Sequence, residues 1–143
     1  MTDVIVLACV ILLGDFPKYN TLYLFTGFEL EPVSATLSST YSESRYASAA
    51  NCIDGVIKPV KRSICHTSNT AKPWITIDYG TSVTVQRVEI FNRHDCCGSR
   101  TQNVDVRISN ELPTSETEMF SGGTLLGHFA GPGTNGQHII ISG

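Results

Sequence analysis

Trp74-Ile75-Thr76-Ile77-Asp78, followed by Val83-Thr84-Val85-Gln86-Arg87-Val88-Glu89-Ile90-Phe91-Asn92, is the stretch that decides the fold class. The first piece alternates apolar and polar residues and is ended by Tyr79-Gly80-Thr81. The second is longer, and its alternation slips once near Gln86-Arg87, the mark of a bulge. A period of two sets one face of a strand against a core and the other toward solvent. Outward from these pieces the same signal returns. Val104-Asp105-Val106-Arg107-Ile108-Ser109 alternates cleanly, Leu125 to Phe129 forms a short strand, and His138 to Ser142 a last one. Leu112 to Gly123 reads as a loop, and Gly131 to Gly136 as a turn cluster. Upstream, Val33 to Ser48 is rich in Ser, Thr and Ala and reads as a strand running into an irregular loop. Tyr46 to Asn51 suits one short helical turn, and Asp54-Gly55 a reverse turn. No helical period is sustained beyond about two turns. Many short strands with Gly/Pro turns imply an all-β sandwich or jelly roll. Trp74 is expected as a core aromatic rather than a stacking platform.

The chain has 143 residues, enough for one ordinary domain, with 41% hydrophobic and 16% charged residues. Its net charge is −3, and its densest basic run is Lys58-Pro59-Val60-Lys61-Arg62. That run reads as a solvated loop, and a nucleic-acid partner, which needs a basic patch, is not expected. The apolar run Val4 to Leu13 is ten residues long, too short for a membrane span of about 18 or more. It has the length of a signal-peptide core, which makes residues 1–14 an expected signal, although Asp3 stands where a basic residue is usual. The other reading of the run is a buried strand. Residues 15–32 show no clear period and are taken as a leader or linker, with the folded domain expected over 33–143. Cys9 would leave with a signal, and the four remaining cysteines suit a secreted, extracellular protein.

The chemistry gathers on loops at strand ends, where binding groups usually sit. His66 follows Cys65, and Arg93-His94-Asp95-Cys96-Cys97-Gly98-Ser99-Arg100 follows the long strand. Arg93 and Arg100 are permanent cations with forked donors, and His66 can donate or accept near neutral pH. Asp95 can brace the arginines by charge-assisted hydrogen bonds. Such a set suits a hydroxyl-rich neutral ligand, a phosphate or a carboxylate. Neighbouring Cα atoms lie about 3.8 Å apart, below the usual disulfide span of about 4.4–6.8 Å. Cys96 and Cys97 therefore either close a tight ring, stay as thiols, or bond separately to Cys52 and Cys65. His94 is expected to be exposed, and His128 and His138 to be solvated at strand ends.

The spacing His66, twenty-six residues, Arg93-x-Asp95, four residues, Arg100 resembles the signature of the F-type lectins, the fucose-binding family typified by eel agglutinin. A chance match is expected on the order of once per thousand chains. Asn51-Cys52-Ile53-Asp54-Gly55, Pro73-Trp74-Ile75 and Gly131-Pro132-Gly133 also resemble the family, so the likeness covers Val33 to Gly143. The resemblance implies a discoidin-like (galactose-binding-like) jelly roll that binds terminal α-L-fucose on glycans and glycoproteins, with no catalysis. It implies that His66, Arg93 and Arg100 donate to sugar oxygens, that Asp95 braces the arginines, and that a Cys96–Cys97 disulfide packs on the sugar ring. With that bond it implies a second, Cys52–Cys65. Ile57, Val60 and Ile64 are the apolar residues available for the fucose methyl. The resemblance further implies a structural Ca²⁺ held by Asn51, Asp54, the Val56 carbonyl and Ser63.

The family domain continues through further strands, whereas this sequence stops at Gly143, so the C-terminal strands are expected to be missing or replaced by Leu22 to Leu30. One shallow sugar site binds weakly, so several acting together, as in a homo-oligomer, are expected. A role in innate immune recognition fits this reading. The rival reading is a phospholipid or cell-surface adhesion module of the discoidin type, which would need apolar spikes at loop tips but no membrane insertion. An enzyme is not expected, since neither a Gly-x-Ser-x-Gly nucleophile nor a glycosidase carboxylate pair is evident.

Overall fold

The structure, a computed structural model, describes residues 5–13, 20–25, 31–43, 45–68 and 72–143. Its strands are β1 (Ile5–Leu13), β2 (Asn20–Phe25), β3 (Ser34–Leu37), β4 (Trp74–Thr84), β5 (Arg87–Asn92), β6 (Val104–Ser109), β7 (Thr124–Phe129) and β8 (His138–Ser142). One helix, α1 (Glu116–Ser121), lies between β6 and β7. The strands form a five-stranded sheet, β3-β4-β1-β6-β7, and a three-stranded sheet, β2-β5-β8. Every pairing is antiparallel. Alternation explains what fills the space between the sheets. Ile75 and Ile77 of β4 and Val104, Val106 and Ile108 of β6 meet Val88 and Ile90 of β5 and Ile139 and Ile141 of β8. Each is nearly or fully buried, and burying such a side chain is worth about 1.5–3 kcal/mol. This is the expected all-β, galactose-binding-like sandwich.

Several expectations change. The two strands read over 74–78 and 83–92 are divided differently: β4 runs through Tyr79-Gly80-Thr81 to Thr84, and β5 starts at Arg87. Gly80, at φ 64°, donates its N–H to Asp78 Oδ1, and the pairing with β1 skips there rather than ending. The phase slip near Gln86-Arg87 is where the chain crosses from one sheet to the other. Trp74 is half-buried, whereas its neighbour Ile75 is the core residue. The loop read over Leu112 to Gly123 contains α1, whose first turn is capped by Ser115 Oγ accepting from Glu118 N–H at 3.2 Å.

The apolar run Val4 to Leu13 contains β1, which pairs with β4 on one side and β6 on the other. Residues 15–32, read as leader or linker, contain β2, which pairs with β5 from Asn20–Asn92 to Phe25–Arg87. Both strands pair within the sheets, β1 between β4 and β6 and β2 beside β5. Backbone pairing explains this placement, because with β1 between them neither β4 nor β6 presents an open edge there. Leu22 to Phe25 of the segment expected to fill a strand position does lie in β2; residues 26–30 fall outside the described residues.

Connections at one end of the sandwich build the site. They are the long 38–73 loop before β4, the 93–103 turn from β5 to β6, and the 130–137 turn from β7 to β8. The long loop contains 3₁₀ turns at Tyr41–Glu43, Arg45–Ala47 and Ala49–Cys52, and a Cys52–Cys65 disulfide thirteen residues in span. Closing a loop of that length stabilises the fold by about 3 kcal/mol. It also anchors the residue before His66 in the core, since Cys52 and Cys65 are both buried.

Candidate functional site: two arginines, a histidine and a vicinal disulfide on neighbouring loops

Arg93 leaves the end of β5 and is 8% exposed. Asp95 holds it by two bonds, Nε to Oδ1 at 2.6 Å and Nη2 to Oδ2 at 2.9 Å. Two of the five guanidinium donors are thereby fixed in a planar fork, as only arginine permits. Asp95 is lowered to about 2, chiefly by that Arg93 bond. The Lys61 backbone also donates to this carboxylate, and His94 N–H donates to Pro59 O at 2.8 Å. The 56–64 loop is thus tied to the arginine segment, which gives part of the basic run a structural contact.

Cys96 and Cys97 are bonded to each other, with Cα atoms 3.8 Å apart. Cys97 adopts φ 65°, a left-handed conformation that costs an L residue about 1–2 kcal/mol. It turns the chain into the 3₁₀ turn Gly98–Arg100, which carries Arg100. Both disulfides implied by the family resemblance are therefore present.

His66 is nearly buried, with its N–H on Ala47 O and its carbonyl taking Tyr41 N–H. Its Nδ1 lies 2.6 Å from Thr67 O. A carbonyl can only accept, so Nδ1 carries the proton in this pair. Burial is the largest cause lowering the ring from 6.5 to about 4, and the charges of Arg100 and Arg93 add to it, against the Thr67 bond that raises it. The imidazole is therefore neutral at physiological pH, and its Nε2 is an acceptor. In that tautomer Nε2 has acceptor character, whereas a guanidinium group only donates. Both guanidinium charges act on the ring, so Arg93 and Arg100, 27 and 34 positions further along the chain, lie in its neighbourhood.

The depressed ring has a consequence for stability. Above pH 6.5 the ring is neutral folded or unfolded; as pH falls toward about 4 the unfolded chain takes a proton that the folded one refuses. Stability is therefore lost over that window as pH falls. Denaturant titrations at pH 7 and pH 4.5 are expected to show a smaller drop for His66→Gln than for the unmodified chain. An equal drop would remove His66 as the cause.

Tyr41 was not found from the sequence. Its ring lies 4.3 Å from the His66 ring and is half exposed. Nothing in the motif spacing marks it, because the contact depends on the 3₁₀ turn folding back over Cys65-His66. Asn92 was missed as well. It is 1% exposed and its amide donates to Gly98 O and Thr134 O, while Oδ1 accepts from Arg93 N–H and Thr101 Oγ1. Of the apolar residues expected near a methyl, Ile57 and Val60 are exposed. Ile64 is not available: it is 2% exposed, drawn into the interior beside the Cys52–Cys65 bond. His94 is exposed as expected. His128 and His138 are each paired with a carboxylate, Asp105 at 2.6 Å and the buried Glu89 at 2.7 Å.

The residues expected to hold Ca²⁺ offer oxygen donors, the kind a hard cation takes. Asn51 Nδ2 donates to Tyr46 O at 3.1 Å and to Ile64 O at 2.9 Å. Asp54 receives Val56 N–H on Oδ1, and Ser63 Oγ is engaged with Val60 N–H and carbonyl. Four donors with one carboxylate match the ion in kind and supply roughly half of its usual six to eight ligands. Among the described residues no cluster of three His, Cys, Asp or Glu could hold a metal.

The comparison that decides the family covers the site itself: a family model described as NedA-like, galactose-binding domain matches residues 51–127. The chain belongs to that family. The matched span contains every residue of the histidine, arginine and cysteine constellation. The chain is 35% identical over 69 residues to Fucolectin of Anguilla anguilla, covering 47% of this chain and 44% of the relative. It is 40% identical over 50 residues to Fucolectin-1 of Anguilla japonica, covering 35% and 28%. It is 33% identical over 75 residues to the pentraxin fusion protein of Xenopus laevis, covering 51% and 18%. The chain thus spans less than half the length of each of these relatives. The fucolectin relatives bear out the resemblance to the F-type lectins. No solved structure matches the chain.

Proposed function

We propose that the domain binds terminal α-L-fucose on glycans, with Arg93, Arg100, His66 and the Cys96–Cys97 ring as its site. What supports this reading is the gathering of two guanidinium donors near an imidazole whose Nδ1 faces Thr67 O at 2.6 Å. A vicinal diol or a hydroxyl beside a ring oxygen has both lone pairs and a proton to offer, and this set meets each. A carboxylate has no proton for Nε2, so the neutral ring disfavours that alternative. The two-sulfur ring supplies an apolar face for sugar carbons. Ile57, Val60 and Tyr41 are exposed apolar groups on the site loops, suited to a methyl where galactose carries a hydroxymethyl.

The reading is of binding without turnover. Acid–base catalysis needs groups poised near the working pH. Asp95 lies at about 2 and is engaged by Arg93, and His66 lies at about 4. Ca²⁺, held by Asn51, Asp54, the Val56 carbonyl and Ser63, is part of the proposal as a stabiliser of the 51–63 loop. Two disulfides suit an oxidising setting, so we place the protein outside the cell, with several copies acting together in recognition of foreign or host glycans. No helix among the described residues is long and apolar enough to cross a membrane.

The test is a column of immobilised L-fucose run with and without a chelator. Retention released by free fucose and not by free galactose supports the reading. Passage straight through in Ca²⁺ buffer, or equal release by both sugars, contradicts it.

A further inference from the structure

We infer that the β7–β8 turn, through Asn135, is a positioning element of the sugar site; the inference rests on the fucose reading above. The Cys96–Cys97 ring and Arg100 lie on one segment, with Gly98 and Ser99 between them. Gly98 N–H donates to Asn135 Oδ1 at 2.8 Å, and Gly98 O accepts from Asn92 Nδ2 at 2.9 Å. Both polar groups of this one peptide position are therefore fixed from outside the segment. Space is fixed too, because a Cβ on Gly98 would overlap the backbone of Thr134 and Asn135.

The turn holds the segment at its two ends as well. Gly136 N–H donates to Arg93 O at 2.8 Å, and a Cβ there would come within 2.7 Å of the His94 ring. Gly133 N–H donates to Thr101 O at 2.8 Å. Arg93, Gly98 and Thr101, the start, middle and end of the ligand-facing segment, are thus all seated on residues 133–136. The partners lie 37 positions apart in the case of Gly98 and Asn135. A site built from charged forks tolerates little displacement, so the orientation of the sulfur ring and of Arg100 follows the seat beneath them.

Asn135 separates this role from general stability. It is exposed and belongs to no sheet, whereas Asn92 is buried and serves four partners. Asn135→Ala removes the acceptor for Gly98 N–H; Asn135→Asp keeps it. The experiment measures L-fucose affinity, thermal midpoint and exchange of the Gly98 amide hydrogen in the unmodified protein and both variants. Asn135→Ala is expected to weaken fucose binding roughly three- to tenfold, the worth of one such hydrogen bond, with little change in midpoint. Gly98 exchange is expected to speed up, and Asn135→Asp to restore both readings. Fucose affinity of Asn135→Ala within about twofold of the unmodified protein overturns the inference. If the unmodified protein binds no fucose, the sugar reading fails, and the exchange measurement still decides whether the turn holds Gly98. Unchanged Gly98 exchange in Asn135→Ala overturns the positioning role in either case.

Discussion

Arg93→Ala is expected to pass through immobilised fucose unretained, an affinity loss of about a hundredfold or more. The magnitude comes from the kind of bond lost. A hydrogen bond from a charged donor is worth about 1.5–3 kcal/mol, and a guanidinium can give two to adjacent sugar oxygens. Together these amount to about 3 kcal/mol or more, and tenfold corresponds to about 1.4 kcal/mol. A second effect adds to it. Arg93 is the group that holds Asp95, and Asp95 also takes the Lys61 N–H, so truncation loosens the link between the two site loops. Arg93→Lys is expected to recover little, since an ammonium cannot hold a carboxylate and present donors in one plane. Retention of Arg93→Ala equal to the unmodified protein would remove Arg93 from the site.

The largest stability loss is expected at Asn92, where Ala should cost about 4 kcal/mol. The side chain is buried and satisfies Gly98 O, Thr134 O, Arg93 N–H and Thr101 Oγ1. Gly98 O keeps the Thr101 N–H and Thr134 O keeps the Gln137 N–H, so the cost falls on Arg93 N–H and Thr101 Oγ1, which lose Asn92 Oδ1 at about 1–3 kcal/mol each. Against a typical total of about 5–15 kcal/mol this is a severe change for one residue. Urea unfolding measures it directly. A loss under about 1 kcal/mol would mean that Arg93 N–H and Thr101 Oγ1 find other partners readily, and that Asn92 is not the joint between β5 and the two turns.

How far the sequence was legible depended on how local each signal was. Val104 to Ser109 and His138 to Ser142 alternate with period two, and β6 and β8 occupy those residues. The break at Tyr79-Gly80 misled because a left-handed glycine usually ends a strand. Here Asp78 accepts the Gly80 N–H and the strand goes on. Six residues are too few to show a helical period, so α1 escaped, although Ser115 and Glu118 stand at the spacing of an N-cap. The run Val4 to Leu13 reads first as a signal core because of its length, with a buried strand as the other reading, and β1 pairs there with β4 and β6. In the site, the motif named His66, Arg93, Asp95, Cys96, Cys97 and Arg100 because their spacing is regular. It could not give the tautomer of His66, which depends on Thr67 O, nor Tyr41, Asn92 and Asn135, whose contacts exist once distant turns come together.

The central claim is convergence of His66, Arg93 and Arg100 on one sugar. Side-chain NMR of a ¹⁵N-labelled sample during L-fucose addition tests it most directly. The account predicts that the Nε–Hε signals of Arg93 and Arg100 and the ring signals of His66 shift together along one saturation curve, with smaller shifts for galactose. Saturable binding that leaves these three side chains unmoved, or that moves them on separate curves, would contradict it.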